Sequence, residues 1–273
     1  MSGTRTPRER LQESLEALDD SAPGLMAHLV AGYPDRATTI EAAAAIERGG
    51  AHVLELQFPF SDPLADGPTV LGACQHALDH GVDHGACLEM LAEITSRISI
   101  PTVVMTYANV PFARGFDAFA NELARAGATG LILPDLPDTE PEFEELLAAL
   151  KRAGVSWIPV IAPTSTDETV RRLGSRADTF VYTVVRLGVT GRASSIDEAV
   201  RGRLERVSEL SEGRPVAAGF GIRERAQVQL LQGAARLAVV GSRIVQALED
   251  APGADAAAER VETLCRSLLD SPA

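Results

Sequence analysis

One carboxylate in this sequence lies where an acidic side chain is costly unless it is paired or functional. Glu55 interrupts the apolar run HVLELQF, which predicts a buried strand. Because side chains alternate along a strand, Glu55 shares a face with Val53 and Gln57. If that face borders a pocket, loss of hydration raises the carboxyl pKa toward values that suit acid–base chemistry. The alternative is a structural carboxylate that accepts hydrogen bonds from neighbouring backbone.

A second carboxylate, Asp66, follows in the loop FPFSDPLADGPT. Three prolines restrict the backbone of this loop, whereas Gly67 allows a wider range of backbone conformations at one position. A long loop that follows a strand and carries both Asp62 and Asp66 is typical of a segment that covers a substrate. In the simpler alternative, the two aspartates only cap turns in a solvated loop. Two carboxylates in different surroundings can take separate chemical roles.

The elements that must position these groups alternate regularly along the chain, short apolar runs with amphipathic helical patterns. The predicted strands are Leu25–Ala31, His52–Phe58, Thr102–Tyr107, Gly130–Pro134, Trp157–Ile161, Phe180–Val185, Pro215–Gly219 and Leu237–Val240. The helical patterns between them are Ala37–Arg48, Asp83–Arg97, Phe116–Ala126, Pro141–Ala153, Thr166–Ser175, Ile196–Leu210 and Ala226–Gln232.

This pattern predicts the α/β class and a single (β/α)8 TIM barrel domain over residues 1–273. The strand count favours a closed barrel over a doubly wound sheet. An extra N-terminal helix is expected at about 1–20, the barrel core at about 25–250 and a C-terminal helix at about 254–270. In such barrels the chemistry lies at the carboxyl ends of the strands, where Glu55 and the loop that follows it would be.

Glycines form a second constellation at three neighbouring strand ends. GVTG, GFG and GS follow the sixth, seventh and eighth predicted strands. Loops after the last strands of a barrel often bind phosphate through backbone N–H groups at the start of a short helix, and GSRIVQALE has that pattern. Each glycine alone is a weak signal, because glycine also simply ends strands. Together the three indicate a phosphate-containing small molecule as the substrate.

Two other kinds of barrel chemistry lack the residues they need. A Schiff-base mechanism requires a buried lysine at a strand end, but Lys151 is the single lysine and lies in a helical pattern, where we expect it to be exposed. His76, His80 and His84 have four-residue spacing, yet no cysteine or carboxylate obviously completes a metal site. We therefore interpret the histidines as a surface stripe and predict no metal ligands.

Charge and composition restrict the partners and the compartment. The net charge of −13 argues against non-specific binding to nucleic acid or anionic membranes. No apolar stretch approaches the roughly 18 residues of a membrane-spanning helix. The amino terminus is polar and lacks the apolar region of a signal peptide. Three cysteines without a CxxC pair fit a reduced, cytoplasmic protein.

With these motifs in place, the chain resembles the tryptophan synthase alpha subunit family over nearly its whole length. The most specific match is LELQFPFSDPLADGPT, from Leu54 to Thr69. The supporting matches are AGYPD at 31–35, MTYAN at 105–109, GLILPDLP at 130–137, APTSTDE at 162–168, GVTG at 188–191, AGFGI at 218–222 and VVGSRIV at 239–245.

The resemblance implies retro-aldol cleavage of indole-3-glycerol phosphate to indole and glyceraldehyde 3-phosphate, in L-tryptophan biosynthesis. Glu55 would be the acid–base group that protonates indole C3 and helps to deprotonate the glycerol hydroxyl. Asp66 would hold the indole N–H and stabilise positive charge on the ring. Tyr182 would position Glu55, and Thr190 would bond Asp66 when the loops close.

The resemblance also implies the remaining contacts of the site. The apolar residues expected to line the indole pocket are Met105, Ile132 and Val239. The residues whose backbone N–H groups would bind phosphate are Gly191, Gly221, Gly241 and Ser242. The residues that would contact or signal to a beta subunit, within an alpha2-beta2 heterotetramer, are Asp62, Asn109 and Asp135. The family needs no cofactor in this subunit, since pyridoxal phosphate belongs to the beta subunit.

Four residues depart from the family pattern. Gln57 stands where glycine is common, His28 where an aromatic residue faces the indole, Val185 where a small residue is common, and Arg243 where alanine is common. None of these changes removes a catalytic group, but they bear on substrate fit and on coupling to a beta subunit.

Other functions remain open on the sequence alone. One is a stand-alone lyase that releases free indole. Another is a catalytically weak barrel that activates a partner, against which the intact Glu55 and Asp66 argue. A sugar-phosphate isomerase or epimerase on a similar barrel is disfavoured by the SDPLADGP loop and by the absence of an obvious metal set.

Overall fold

Parallel strands form the centre of the structure. The computed structural model describes residues 5–19, 22–63, 66–184, 198–219 and 221–269. Within these ranges, nine strand segments form one sheet in the order β5-β4-β3-β2-β1-β9-β8-β7-β6, and all neighbours pair in parallel. The segments are β1 Gly24–Val30, β2 Val53–Gln57, β3 Thr102–Met105, β4 Gly130–Ile132, β5 Ser156–Ile158, β6 Val160–Ile161, β7 Val181–Val184, β8 Val216–Gly219 and β9 Leu237–Val240.

The fifth predicted strand is present but is divided into two segments. The sequence predicts a continuous strand Trp157–Ile161, whereas the structure interrupts it at Pro159. Proline has no backbone N–H to give to the ladder, so the pairing breaks there. The first half, β5, pairs with β4, and the second half, β6, pairs with β7. The two ends of the sheet are thus halves of one strand, and the predicted barrel is confirmed in a nearly closed form.

Helices follow the strands and surround them, and the predicted helical patterns are all present. Within the described ranges none of them combines the length and apolar character needed to cross a membrane. A short helix directly after β3 was not predicted. The helices are α1 Pro7–Glu16, α2 Arg36–Arg48, α3 Pro68–Asp79, α4 His84–Arg97, α5 Asn109–Arg114, α6 Phe116–Arg125, α7 Pro141–Ala153, α8 Asp167–Gly174, α9 Glu198–Leu210, α10 Arg225–Gln229, α11 Ser242–Leu248 and α12 Ala254–Leu269.

Side-chain capping fixes where several of these helices begin. Asp35 accepts a hydrogen bond from the Thr38 backbone N–H at the start of α2, and Asp83 accepts one from Ala86 at the start of α4. Such caps satisfy backbone donors that have no partner inside the helix. Both helices therefore start directly after the turns that connect them to the preceding segments.

The described part of the chain contains three apolar clusters, and the two larger ones form the core of the barrel. Alternate strand residues pack outward against the helices, as Leu54 and Leu56 do on β2. The others point into the barrel, where Val53 packs in a smaller interior cluster. Leu11 and Leu15 of α1 belong to that interior cluster, so the N-terminal helix closes the end at which the strands begin. The opposite end, at the carboxyl ends of the strands, remains available for a pocket.

The close approach of α8 to the residues after α9 generates a stability prediction. A Cβ placed on Gly174, the last residue of α8, would lie 2.6 Å from the Cα of Ser211, whereas one on Gly202 within α9 meets nothing within 4 Å. Gly174→Ala should therefore destabilise the chain by about 1–3 kcal/mol through overpacking. Gly202→Ala should stabilise it by about 0.5–1 kcal/mol, because alanine restricts the unfolded chain.

Urea unfolding midpoints of the two variants provide the measurement, with the wild-type chain as reference. The variants carry the same chemical change in neighbouring helices, so only the local space distinguishes them. Equal midpoints for both would show that the α8 approach is not as tight as described.

Candidate active site

A pocket of about 400 Å³ opens at the carboxyl ends of the strands. Residues from both sides of the barrel converge on it, although they are far apart in the sequence. Its walls contain most of the side chains and glycines that the sequence singled out. Those that line it are His28, Glu55, Asp66, Met105, Ile132, Tyr182, Gly221, Val239, Gly241 and Ser242.

Glu55 reaches this pocket from the middle of β2 and is fully buried. The predicted alternation is confirmed, since Val53 packs inside the barrel while Leu54 packs against the helices. Within the described residues, no donor has hydrogen-bond geometry to either carboxylate oxygen of Glu55. A buried carboxylate without hydrogen bonds is costly. The structural alternative, in which neighbouring backbone stabilises Glu55, therefore has no support in the described part of the chain.

His28 is the side chain that faces Glu55 across the neighbouring strand. The two residues are register partners on β1 and β2, and His28 Nδ1 lies 3.3 Å from Glu55 Oε2. Burial lowers the pKa of His28, but the negative charge and contact of Glu55 and the charge of Asp66 outweigh it, so the pKa is raised overall. When protonated, the imidazole thus places a positive charge beside the carboxylate.

Asp66 is held at the edge of the pocket by two donors. Gln57 Nε2 donates to Asp66 Oδ2 at 2.6 Å, and the Tyr107 hydroxyl donates to the same oxygen at 3.1 Å. The pKa of Asp66 is raised overall, mainly by burial, although the hydrogen bond from Gln57, the charge of His28 and the hydrogen bond from Tyr107 oppose this rise. The site therefore contains two carboxylates in different surroundings.

Tyr182 enters the same pocket from β7. Its pKa is raised far above the usual tyrosine value, first by burial and then by the negative charges of Glu55 and Asp66. The phenol therefore stays protonated and can only act as a neutral hydrogen-bonding group. A Cβ on Gly219 would lie 3.2 Å from the Tyr182 hydroxyl, so glycine at the end of β8 leaves space for this oxygen.

Glycines at the ends of β8 and β9 form a further wall of the pocket. Gly221 has a φ of 75°, a left-handed conformation that favours glycine. Gly241 faces His28 closely, since a Cβ there would lie 3.6 Å from the histidine side chain. Ser242 begins α11 directly after it. Thr190 and Gly191, the other predicted residues of this region, lie outside the described residues, as does Val185.

The three residues expected at a partner surface lie at the same end of the barrel. Asp62 and Asn109 are exposed, the first in the β2–α3 loop and the second at the start of α5. Asp135 has an internal role, because its carboxylate accepts the Ala108 backbone N–H at 2.9 Å. It therefore connects the segment after β4 to the segment after β3. The partner role of all three remains a prediction.

The residues set aside on sequence grounds lie away from the pocket. Lys151 is exposed on α7, as expected. His76 and His80 stack on each other with ring centroids 4.2 Å apart, and His80 Nδ1 contacts the backbone oxygen of His76. His84 contacts Glu122 at 3.1 Å instead of joining the other two. Their four-residue spacing does not bring the three imidazoles to one point.

Two polar contacts of the site were not predicted. Tyr107 was noted only as the end of the third strand, and its hydrogen bond to Asp66 depends on where the β2–α3 loop lies. The sequence places Gln57 on the same strand face as Glu55 and marks it as a departure from the family pattern, but it predicts no contact with Asp66. The rule that chemistry lies at strand ends would have included both, because Gln57 ends β2 and Tyr107 follows β3. Both side chains donate to Asp66, however, and these contacts form only in the tertiary structure.

Known proteins match the chain in both sequence and structure. A family model described as tryptophan synthase alpha chain matches residues 15–271. The tryptophan synthase alpha chain of Gloeobacter violaceus is 40% identical over 241 residues, covering 88% of this chain and 86% of its own. That of Methanosarcina acetivorans is 35% identical over 270 residues, covering 98% and 96%.

Solved structures give the same result. A chain of the tryptophan synthase a2b2 complex from Pyrococcus furiosus has a TM-score of 0.84 at 29% identity, covering 91% of this chain and 98% of its own. A chain of the aminoacrylate-bound tryptophan synthase from M. tuberculosis has a TM-score of 0.81 at 32% identity, covering 95% and 97%.

The buried pair of His28 and Glu55 generates a pH prediction. Because the pKa of His28 is raised on folding, the folded chain binds this proton more tightly than the unfolded chain. The resulting stabilisation is fully present below the unfolded pKa of about 6.5 and is lost as the pH rises through the raised folded value. His28→Asn removes the titrating group, so its thermal midpoint should change less than that of the wild-type chain over this pH window.

Thermal unfolding midpoints at a series of pH values measure the difference. The matched control is His80→Asn, in which an exposed histidine is replaced by the same residue. Profiles of His28→Asn and wild type that remain parallel across the window would contradict the raised pKa.

Proposed function

The chain belongs to the tryptophan synthase alpha chain family, and on that premise we propose that it cleaves indole-3-glycerol phosphate into indole and glyceraldehyde 3-phosphate. In this role it is a carbon–carbon lyase and the alpha subunit of tryptophan synthase in L-tryptophan biosynthesis. The observation that carries the proposal is the convergence of two carboxylates, Glu55 and Asp66, on one pocket. The apolar side chains of Met105, Ile132 and Val239 line the same pocket and suit a flat aromatic ring.

The cleavage requires one proton to move between two atoms of the substrate. Indole C3 gains a proton, the hydroxyl on the adjoining side-chain carbon loses one, and the bond between C3 and that carbon breaks. The electrons of that bond return to the ring, while the side-chain carbon becomes the aldehyde. Glu55 can serve both proton transfers as a general acid and base, because its oxygens have no hydrogen-bond donor within the described residues.

Asp66 would act on the nitrogen of the ring. When C3 is protonated, positive charge develops on the ring nitrogen, and a carboxylate that accepts the N–H stabilises that charge. Asp66 Oδ2 already accepts hydrogen bonds from Gln57 and Tyr107, so Oδ1 is the oxygen that would receive the substrate N–H. Tyr182, which is partly buried and lines the same pocket, would help to position Glu55.

The phosphate would lie at the glycine wall of the pocket. Gly221, Gly241 and Ser242 line it with backbone atoms that no bulky side chain covers. The same pocket contains Asp66, so one elongated substrate would contact both Asp66 and the glycines. Gly191 would contribute in the same way.

The chain would work without a cofactor of its own and with a beta subunit as partner. In this assignment the carboxylates carry the acid–base chemistry, and pyridoxal phosphate belongs to the beta subunit. The structural likeness to a chain of an a2b2 complex supports an alpha2-beta2 assembly in which Asp62, Asn109 and Asp135 face the beta subunit. A cytoplasmic location is supported by three buried cysteines that remain free thiols.

The carboxylate roles are tested by Glu55→Gln and Asp66→Asn. Each change removes a charge and an acid–base group but keeps the shape, so turnover of indole-3-glycerol phosphate should fall by about 10²–10⁴. The measurement is a steady-state assay of indole release, with circular dichroism to check the fold. Glu145→Gln makes the same chemical change on the exposed face of α7 and should leave turnover unchanged. Near-normal activity of a folded Glu55→Gln variant would contradict the assignment.

The phosphate site is tested by Gly221→Val with Gly213→Val as the matched control. Both glycines have a φ of 75° and open space around the position of a Cβ, so the backbone strain is alike. Only Gly221 lines the pocket, and its new side chain should block the phosphate. Calorimetry with glycerol phosphate should show a severe loss of affinity for Gly221→Val alone. Equal affinities in the two folded variants would place the phosphate elsewhere.

A further inference from the structure

The reaction described above gives no role to Gln57, although its side chain is buried and contacts one of the two carboxylates. Gln57 ends β2 and is fully buried. Its amide nitrogen donates to Asp66 Oδ2 at 2.6 Å and lies 3.5 Å from Cys74 Sγ on α3. Its amide oxygen is buried and, within the described residues, has no hydrogen-bond partner.

An amide in this state does not contribute to stability in a simple way. A buried carbonyl oxygen without a donor loses its hydration and gains no hydrogen bond in its place. An apolar side chain of similar size would fill the same space without that loss. The interaction that offsets the lost hydration must therefore involve the amide nitrogen, which donates to Asp66.

The contact between Gln57 and Asp66 also closes a loop. Gln57 is the last residue of β2, and Asp66 lies just before α3 begins at Pro68, so the bond joins the two ends of the β2–α3 connection. Tyr107, after β3, donates to the same carboxylate oxygen. Both donors come from the chain itself, and Asp66 lines the pocket.

We propose that Gln57 is a positioning residue that orients Asp66 for the substrate N–H before substrate or beta subunit binds. This inference rests on the proposed function, because it assigns to Gln57 the preparation of a group that acts in that reaction. With Oδ2 occupied by Gln57 and Tyr107, the carboxylate presents Oδ1 to the pocket in a fixed direction. Orientation that is complete before binding removes an ordering cost from the reaction.

The effect on partner activation follows from the same contact. A partner that closes the β2–α3 loop raises turnover by increasing the population in which Asp66 is in place. If Gln57 already holds Asp66 in place, the beta subunit can increase that population, and therefore turnover, by a smaller factor. The isolated chain should therefore have appreciable activity, and loss of the Gln57 donor should increase its dependence on the beta subunit.

The pKa of Asp66 depends on the charges and hydrogen-bond donors around it, so its value distinguishes a role of Gln57 as a donor from a role in packing. The ionisable groups that face Asp66 from the elements around it are His28 on β1, Glu55 on β2, Tyr107 after β3, Cys74 on α3 and Tyr182 on β7. Burial raises the pKa of Asp66, and the hydrogen bond from Gln57 opposes this rise. Without that donor the pKa of Asp66 should rise further, so the ionised form would be lost at a higher pH.

The principal test is Gln57→Met in the full chain, because methionine has a similar length and volume but no donor. Turnover of indole-3-glycerol phosphate is measured against pH, for the isolated chain and in the presence of its beta subunit. We expect kcat/KM of the isolated chain to fall by about ten- to a hundredfold, the range for loss of a hydrogen bond to a charged group. The acidic limb of the kcat/KM profile should move to higher pH, and activation by the beta subunit should increase.

Two further variants keep the test decisive. Cys74→Ala removes the sulfur next to Gln57 Nε2 but leaves the bond to Asp66, so it should shift neither the acidic limb nor the activation. Gln57→Glu preserves the shape if the methionine variant fails to fold. It places a second carboxyl group beside Asp66, and the like charges should also move the acidic limb upward.

The outcomes separate this inference from the proposed function. A wild-type chain that does not cleave indole-3-glycerol phosphate, alone or with a beta subunit, overturns the proposed function. A wild-type chain that cleaves it, with folded Gln57 variants whose acidic limb and activation match the wild type, overturns the role of Gln57 alone. A loss of activity equal to that of Cys74→Ala, without a shift in pH, assigns Gln57 to packing and also overturns the inference.

Discussion

The burial of Glu55 inside the barrel is the constraint on which the rest of the site depends. A carboxylate with no exposed surface and no hydrogen bond to the described residues has lost its hydration, and only a compensating interaction justifies that cost. The structure offers two compensations. His28 lies beside Glu55 with a raised pKa, and the open pocket lets a substrate reach the carboxylate. Both depend on the parallel register of β1 and β2, which places the two residues side by side.

The two ends of the barrel differ in the side chains that fill them. At the end where the strands begin, Leu11 and Leu15 of α1 fill the interior, and Arg236 donates to the backbone oxygens of Leu15 and Leu18. At the opposite end, polar side chains and glycines lie beside the apolar Met105, Ile132 and Val239 and line an open pocket. The filled end supports the barrel, and the open end gives access to the carboxylates.

The polar residues around the two carboxylates form a connected set rather than separate pairs. His28 contacts Glu55 and its charge also acts on Asp66, while Gln57 at the end of β2 and Tyr107 after β3 donate hydrogen bonds to Asp66. Within the described residues, each carboxylate therefore has its own neutral or cationic neighbour. This difference in surroundings allows the two carboxylates to take separate roles in the proposed reaction.

The sequence alone determined the alternation of strands and helices, the inward face of β2 and the identity of the two carboxylates. These follow from local periodicity and from short motifs, which do not depend on distant parts of the chain. Only the tertiary structure decided that Pro159 divides the fifth strand, that Tyr107 and Gln57 share Asp66 as acceptor, and that His28 lies beside Glu55. Such contacts join residues that are distant in the sequence or separated by a loop. Their geometry is set by barrel register and loop path, and neither leaves a periodic signal in the sequence.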